Sequence, residues 1–433
     1  MFDRVDSNPD LVAGEREILE YWDATAAFDK LRARNAGGPR WSFIDGPITA
    51  NNPMGVHHAW GRTYKVAFQR YHAMNGFHER YQNGFDCQGL WVEVEVEKEL
   101  GFKSKRDIEA YGLEKFINRC KERVLKFSAI QTAQSIRLGY WMDWDHSYYT
   151  MSRENNYTIW SFLKRCHERG LLYKGLDAMP WCPRCGTGIS EQERKEGYRE
   201  VEDDSLFARF PLRGRPGEYL LVWTTTPWTL AANVAAAVNP GLPYVKVRQG
   251  DAILWLAKSR LDAVASEGPF EVLEERAGSE LVGWAYDGPF DELDAVAAAR
   301  EAHRVIPWAE VSEATGTAIV HIAPGCGKED FDLGREFGLP IVSPVDESGV
   351  YLPGFGPLTG VGAADVAPMV TAALREKKLF HKADRYRHDY PHCWRCATPL
   401  LFRAVDEWYI DMRWRGEIMD VARKIRWIPD YGL

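Results

Sequence analysis

Four of the eight cysteines fall into two pairs of equal spacing, Cys182/Cys185 and Cys393/Cys396, with 207 residues between the pairs. One C-x-x-C on its own can be a redox dithiol. Two of them, each in a turn-rich setting (Cys-Pro-Arg-Cys-Gly and Cys-Trp-Arg-Cys-Ala), match the closed four-thiolate set of a structural Zn2+, which leaves no position for a catalytic water. If one metal takes all four, residues 186–392 leave one point of the fold and return to it. A second group is Gly46-Pro-Ile-Thr-Ala-Asn-Asn-Pro-Met-Gly-Val-His-His58. A loop running into a helix start receives phosphate, because the first N–H groups are unpaired and carry partial positive charge. Imidazoles there add hydrogen bonds to a transferring phosphoryl group. Taken alone, the same residues also read as a capping loop with two structural histidines. A third group is the hydroxyl-rich Val222-Trp-Thr-Thr-Thr-Pro-Trp-Thr229 with Asn233 behind it, and a fourth is Gly316 to Asp330, which holds His321, Cys326 and Asp330. Taken alone, these two are a polar strand end and a strand turning into a helix; a thiol hydrolase built on Cys326 has no supporting signature. Cys87, Cys120, Cys166 and Cys326 read as small buried apolar residues.

These groups need a scaffold. Residues 9–30 carry helical spacing and are expected to form an N-terminal helical arm. Trp41 to Asp45 alternates as a strand and runs through Gly46-Pro47 into a helix bearing Trp60, Tyr64, Phe68 and Tyr71, closed by Asn75-Gly76. Strand, glycine-containing turn and helix form the opening unit of a nucleotide-binding α/β sheet. Helices follow over 104–136 and 152–169. After the first cysteine pair the texture changes to short strands (219–223, 244–247, 253–256, 318–321), which predicts a compact β-rich insert over roughly 204–390. Gly354 to Gly360 imitates a phosphate loop, but its glycine spacing is wrong and Pro353 and Pro357 break it.

Composition bounds the function. The 433 residues are 45% apolar and 13% aromatic, which suits packed cores. A net charge of −8 excludes a general polyanion binder, so any nucleic-acid contact must use a local basic patch. The acidic, polar start reads as neither signal nor transit peptide, and no apolar run is long enough to span a bilayer. A cytoplasmic protein, without membrane contact, is expected.

The loop at 46–58, Asn83-Gly-Phe-Asp-Cys-Gln-Gly-Leu90, the acidic run from Val92 to Lys105, Leu138-Gly-Tyr-Trp-Met-Asp-Trp144 and Met179-Pro-Trp-Cys-Pro-Arg-Cys-Gly186 occur in order. Together they resemble class I aminoacyl-tRNA synthetases of the isoleucyl, valyl and leucyl group, with the detail closest to isoleucyl members. The resemblance implies an α/β fold: the first half of a Rossmann-type catalytic domain, interrupted by a zinc-tied, β-rich editing insertion. The implied boundaries are 1–173 for the arm and first half-domain, 174–200 with 386–405 for a zinc-binding neck, 201–385 for the editing domain and 406–433 for the return to the catalytic domain. Gly46 and Pro47 would line the amino-acid pocket and Asp86 would hold the substrate ammonium; read bottom-up, Asp86 is also a plausible turn former. Residues 55–58 fall where the family has H-I-G-H, its ATP-binding signature. Here they are Gly55-Val56-His57-His58, so the first imidazole has moved two residues along, to the helix start. Asp330 would bind the ammonium of a wrongly attached amino acid, with Thr226 and Thr229 placing ester and water and Asn233 and His321 nearby.

The implied activity is ATP-dependent activation of isoleucine, transfer to tRNA(Ile) and hydrolysis of misacylated Val-tRNA(Ile), by a monomer using Mg2+ with ATP. Valyl specificity and a freestanding aminoacyl-tRNA deacylase are the alternatives. The family's second ATP signature, K-M-S-K-S, and its anticodon-binding helices are not found in these 433 residues, so this chain alone is expected not to aminoacylate.

Overall fold

The computed structural model describes residues 8–43 and 46–432, in two compact units divided between Arg169 and Gly170. The first begins with α1 (Leu11–Ala24) and α2 (Ala27–Arg34). Asp10 caps α1, its Oδ1 accepting the Val12 and Ala13 N–H groups at 3.0 Å each. The single arm expected over 9–30 is broken, because Ala26 takes a left-handed conformation at φ +50°. Next come β1 (Arg40–Trp41), β2 (Ile48–Thr49), α3 (Val56–Met74), β3 (His78–Glu79), β4 (Gly84–Asp86), α4 (Leu90–Leu100), α5 (Lys105–Tyr111), α6 (Leu113–Arg137), β5 (Tyr148–Tyr149) and α7 (Arg153–Glu168). The helix expected over 104–136 is two, separated at Gly112.

Strands β2, β4 and β5 form a parallel sheet in that order, with Thr49 beside Asp86 and Phe85 beside Tyr149. The strand expected over 41–45 is not the one that enters it. Its first residue lies in β1, which pairs with β3, while Ile44 and Asp45 fall outside the described residues. The strand leading into α3 starts after Pro47, whose missing N–H suits it to precede a strand rather than sit within one. On α3 the buried residues are Arg62, Gln69 and Ala73. The aromatic stripe of Trp60, Tyr64, Phe68 and Tyr71 faces the other way and is 58–63% exposed. Amphipathic spacing located the helix but not its inner face. That face is chosen by polar anchoring: Arg62 lies over the rings of Tyr140 and Trp144.

In the second unit, β6 (Leu172–Cys182), β7 (Thr187–Gly188) and α8 (Glu191–Glu196) lead into β8 (Tyr198–Pro211) and β9 (Glu218–Thr224). Then follow β10 (Ala235–Val238), β11 (Pro243–Gln249), β12 (Ala252–Ala257), α9 (Asp262–Ala265), β13 (Glu271–Ala277), α10 (Gly278–Leu281), β14 (Val305–Pro307) and β15 (Ile319–Ile322). Helices α11 (Lys328–Phe337) and α12 (Ala367–Glu376), strands β16 (Phe380–Pro391) and β17 (Leu401–Ile410), and α13 (Arg415–Ala422) complete it. The expected short strands are all present. Their sheet runs β13-β11-β12-β9-β15-β10-β14, and β8 adds to β9 and carries β16. Its core is apolar, with Phe210, Leu220, Trp255, Tyr286 and Ile322 fully or almost fully buried.

Two long ladders connect this sheet to the cysteines. Strands β8 and β16 pair antiparallel from Ala208/Phe380 to Tyr198/Pro391. Strands β6 and β17 pair from Trp181/Leu401 to Leu172/Ile410. Chain leaving the region and chain returning to it are therefore hydrogen-bonded to each other along both ladders, and the second ladder runs past residue 405 to Ile410.

Candidate functional site

The first candidate site lies at the carboxyl ends of β2, β4 and β5, where open parallel sheets bind ligands. Asp86 ends β4 and is half-buried. Thr49, at the end of β2, donates to its Oδ2 at 2.9 Å, and the hydroxyl of Thr150, just past β5, lies 3.4 Å from its Oδ1 and 3.2 Å from Gln88 Oε1. Both carboxylate oxygens are thus oriented by neighbouring strands. No signal in the sequence points to Thr49 or Thr150, because strand adjacency alone brings them there.

Helix α3 starts beside this sheet with Gly55 as its N-cap. His58 Nδ1 accepts the Gly55 N–H at 3.0 Å. Burial, with positive charge from His57 and Arg62, holds the His58 imidazole below its usual pKa. A neutral ring that accepts at Nδ1 carries its proton on Nε2, so His58 is a donor pointing away from its own helix turn. The exposed His57 ring lies 3.8 Å from that of His58, centroid to centroid. It also folds over Gly55: a Cβ added there would sit 2.8 Å from His57 Cε1. A side chain at 55 and an imidazole at 57 compete for one space, which is the physical content of the rearranged signature. Pro47 is half-buried and Gly46 exposed on the approach to β2.

The second candidate site is in the β-rich unit. Thr224 ends β9, and its hydroxyl accepts the Thr226 N–H at 3.0 Å. The Thr226 and Thr229 hydroxyls are 3.3 Å apart. Thr229 donates its proton to the Thr226 carbonyl at 2.8 Å and lies 2.8 Å from His321 Nε2 on β15. With the Thr229 proton used, the His321 Nε2–H is the donor in that pair. Complete burial pushes the His321 pKa down to about 4, keeping the ring neutral. Its Nδ1 is then a buried acceptor with no hydrogen-bond partner among the described residues.

Asp330 joins the same strand end. It lies in the first turn of α11, and its Oδ2 accepts the N–H of Ala323, two residues after His321. Burial raises its pKa to about 7, against the pull of that hydrogen bond. A neighbouring cation would offset this cost. Of the other expected members, Asn233 does not join. Its amide is turned to other partners, donating to the Ala235 carbonyl and accepting from the Tyr286 hydroxyl. Cys326 is a buried thiol whose pKa burial pushes well up, unlike a nucleophile. Beside the threonines opens a cleft of about 580 Å³, lined by Thr225, Thr226, Trp228, Arg385, Tyr390 and His392.

The third candidate site is the cysteine cluster. The sulfurs of Cys182, Cys185, Cys393 and Cys396 all lie within 4.8 Å of one another. The Cys182 and Cys396 sulfurs are 3.5 Å apart, too far for a disulfide at about 2.05 Å and near the ~3.8 Å edge that Zn–S bonds of ~2.3 Å give a tetrahedron. Hydrogen bonding among the four sulfurs drives the Cys182 and Cys185 pKa values up and those of Cys393 and Cys396 down, so protons are shared within the cluster. Such a donor set fits a soft divalent cation, and the residues that would hold it are these four. Each pair closes with a left-handed residue, Gly186 at φ +60° and Ala397 at φ +62°. The alanine carries a steric cost there of about 1 kcal/mol. Ala397→Gly is therefore expected to raise the melting temperature slightly; a lower value by calorimetry would contradict the strained turn. Of the remaining cysteines, Cys87 and Cys166 are buried and Cys120 is half-buried.

Three parallel strand ends with a histidine-bearing helix start beside them are the layout of a nucleotide-binding α/β fold. The sequence profile of the class I tRNA synthetases (I, L, M and V) matches residues 17–432, and the chain belongs to that family, whose members use ATP. Among curated relatives, the isoleucine–tRNA ligase of Clostridium tetani is 36% identical over 433 residues, covering 99% of this chain and 41% of its own. That of Pyrococcus horikoshii is 40% identical over 431 residues, covering 96% of this chain and 40% of its own. The chain thus spans about two fifths of the length of these relatives. A solved ternary complex of Agrobacterium radiobacter K84 agnB2 LeuRS with tRNA and LeuAMS aligns with 90% of this chain and 51% of its own at 12% identity, with a TM-score of 0.36. Among the described residues no helix is long and apolar enough to cross a membrane.

Proposed function

We propose that this chain carries the amino-acid-activating and proofreading parts of an isoleucine–tRNA ligase, a cytoplasmic monomer acting on isoleucine, ATP and tRNA(Ile). In the first unit, Asp86 takes the ammonium of isoleucine. Gly46 and Pro47 line that pocket. Gly55, His57 and His58 receive the phosphates of ATP, which arrives with Mg2+. The isoleucine carboxylate oxygen bonds to the α-phosphorus, and the bond from that phosphorus to pyrophosphate breaks. Such a step needs positioning and charge stabilisation more than covalent help. The neutral His58 Nε2–H supplies a donor without a competing charge.

A pocket that admits isoleucine also admits valine, and discrimination between those two is the standard instance of this limit. Residues 201–385 would then hold the second, hydrolytic site. Asp330 takes the ammonium of valine on Val-tRNA(Ile). Thr226 and Thr229 place the ester and the attacking water, and His321 holds Thr229 from behind through its Nε2. Water adds to the ester carbonyl and the tRNA oxygen leaves with a proton. Residues 174–200 and 386–405 form the neck, with Zn2+ on Cys182, Cys185, Cys393 and Cys396.

The observation that carries the proposal is the pairing of two ammonium-receptive carboxylates, Asp86 and Asp330, in separate units with different polar partners. Isoleucine-dependent exchange between ATP and pyrophosphate in the full-length protein, together with preferential hydrolysis of Val-tRNA(Ile) over Ile-tRNA(Ile), tests it. Exchange driven by valine but not by isoleucine would favour the valyl reading, and hydrolysis without any exchange in the full-length protein the deacylase reading. Within the proposal, His57→Gly is expected to lower the exchange rate by ~100-fold, the usual scale for losing one donor to a transferring group. An unchanged rate would remove His57 from the ATP site.

A further inference from the structure

The end of β2 at Thr49 and the loop that follows it to α3, residues 50–55, run from Asp86 to the paired histidines. This segment is held from behind by one face of α6. Arg123 donates from Nε to Asn51 Oδ1 at 2.7 Å, and from its second guanidinium nitrogen to the Asn51 carbonyl at 2.7 Å and Asn52 Oδ1 at 3.1 Å. Gln131, buried, donates from Nε2 to the carbonyls of Thr49 at 3.0 Å and Asn52 at 2.8 Å. Gln134 accepts the Met54 N–H on its Oε1 at 2.8 Å. Positions 123, 131 and 134 recur at eight and three residues, so they share one face of the helix. The same loop is tied forward into the site: Thr49 bonds Asp86, and Gly55 bonds His58.

We propose that Arg123, Gln131 and Gln134 are positioning residues that set the distance between the ammonium-binding carboxylate and the phosphate-binding helix start. This rests on the activation reading of the first unit. Gln131 is the central member, because Thr49 receives its amide at the carbonyl and passes its own hydroxyl to Asp86. Arg123 is anchored in turn by Glu99 and, at 3.8 Å, by Glu95. A loop held at four backbone points cannot drift independently of α6. A misplacement of about 1 Å at such a position costs up to ~100-fold in rate.

The polarity of the two glutamines makes the idea testable. Gln134 serves as an acceptor and Gln131 as a double donor. Gln134→Glu keeps the acceptor and should rescue most of the exchange activity lost in Gln134→Ala. Gln131→Glu sets a carboxylate against two carbonyls and should fail as badly as Gln131→Leu, at least ~10-fold down in kcat with a smaller change in KM for ATP. Hydrolysis of Val-tRNA(Ile), located in the other unit, should stay at the wild-type rate in all four. A purely structural role would instead make activity follow melting temperature and ignore acceptor against donor. Hydrogen–deuterium exchange over residues 49–58 of the full chain reads the loop without any activity. Gln131→Leu and Gln134→Ala should accelerate it and Gln134→Glu should not. Unchanged protection in Gln131→Leu, or equal activity of Gln131→Glu and wild type, overturns the inference. If the wild-type protein shows no isoleucine-dependent exchange while the protection pattern appears, the positioning of the loop stands and the proposed reaction falls.

Discussion

Asp330→Asn is expected to abolish hydrolysis of Val-tRNA(Ile) and, at the same time, to make the protein more stable at pH 8. The two effects have one cause. Burial lifts the Asp330 pKa from its ordinary 3.8 to about 7. Between those values the folded chain binds more protons than the unfolded chain, so stability falls as pH rises through that window. Above pH 7 the full cost of a buried, uncompensated carboxylate is present, on the order of a few kcal/mol at ~1.4 kcal/mol per pH unit. Asparagine keeps an acceptor for the Ala323 N–H and carries no charge. Its stability advantage should be largest at pH 8 and vanish near pH 4, as read by urea midpoints across pH. The lost ion pair with the substrate ammonium should lower hydrolysis by ~100-fold or more. Wild-type hydrolysis should rise with pH through about 7, because only the carboxylate form binds the ammonium. Hydrolysis at the wild-type rate in Asp330→Asn, or a variant less stable than wild type at pH 8, would refute this account of the site.

Loss of the metal should have the largest structural effect. The wild-type chain is expected to bind one zinc by elemental analysis, and Cys393→Ser to lose it. Structural zinc contributes on the order of 10 kcal/mol to small domains that depend on it. Even a fraction of that here would lower the melting temperature by about 10 °C or more. The damage should begin in the neck, because Cys182 ends β6 and Cys393 follows β16 by two residues. It should reach the hydrolytic site through the cross-links to β6 and β17. Lys328, at the start of α11, pairs with Asp177 of β6 at 2.9 Å, and the Gly325 carbonyl accepts the Ala404 N–H at 3.2 Å. Both lie within a few residues of Asp330. A chelator-treated protein with unchanged melting and unchanged zinc content in Cys393→Ser would exclude the four-sulfur site.

The sequence by itself determined the chemistry-bearing residues and their grouping. Spacing singled out the cysteine pairs, and composition separated a mixed α/β part from a β-rich part. Each C-x-x-C turn carries its geometry locally, but the two pairs meet across 214 residues only because the β6/β17 and β8/β16 ladders bring them together. His58 was legible because its contact with Gly55 lies within one helix turn. What sequence left undecided was everything set by non-local packing. The strand entering α3 begins after Pro47 rather than at Trp41, because pairing with β4 selects it. The aromatic stripe of α3 faces outward, because buried Arg62 and Gln69 fix the helix's inner side. Asn233 stands two residues from β10 and four from Thr229, yet the Tyr286 hydroxyl draws its amide away from the cluster.

Distance along the chain explains the division. Residues within a helix turn or a knuckle meet whatever the rest of the fold does, so their types and spacing suffice. Thr229 meets His321 across 92 residues, and Gln131 meets the loop at Thr49 across 82. Only the assembled sheet and the seating of α6 against the β2–α3 loop bring such partners within about 3 Å, and the sheet brings with it the low pKa of His321 and the raised pKa of Asp330.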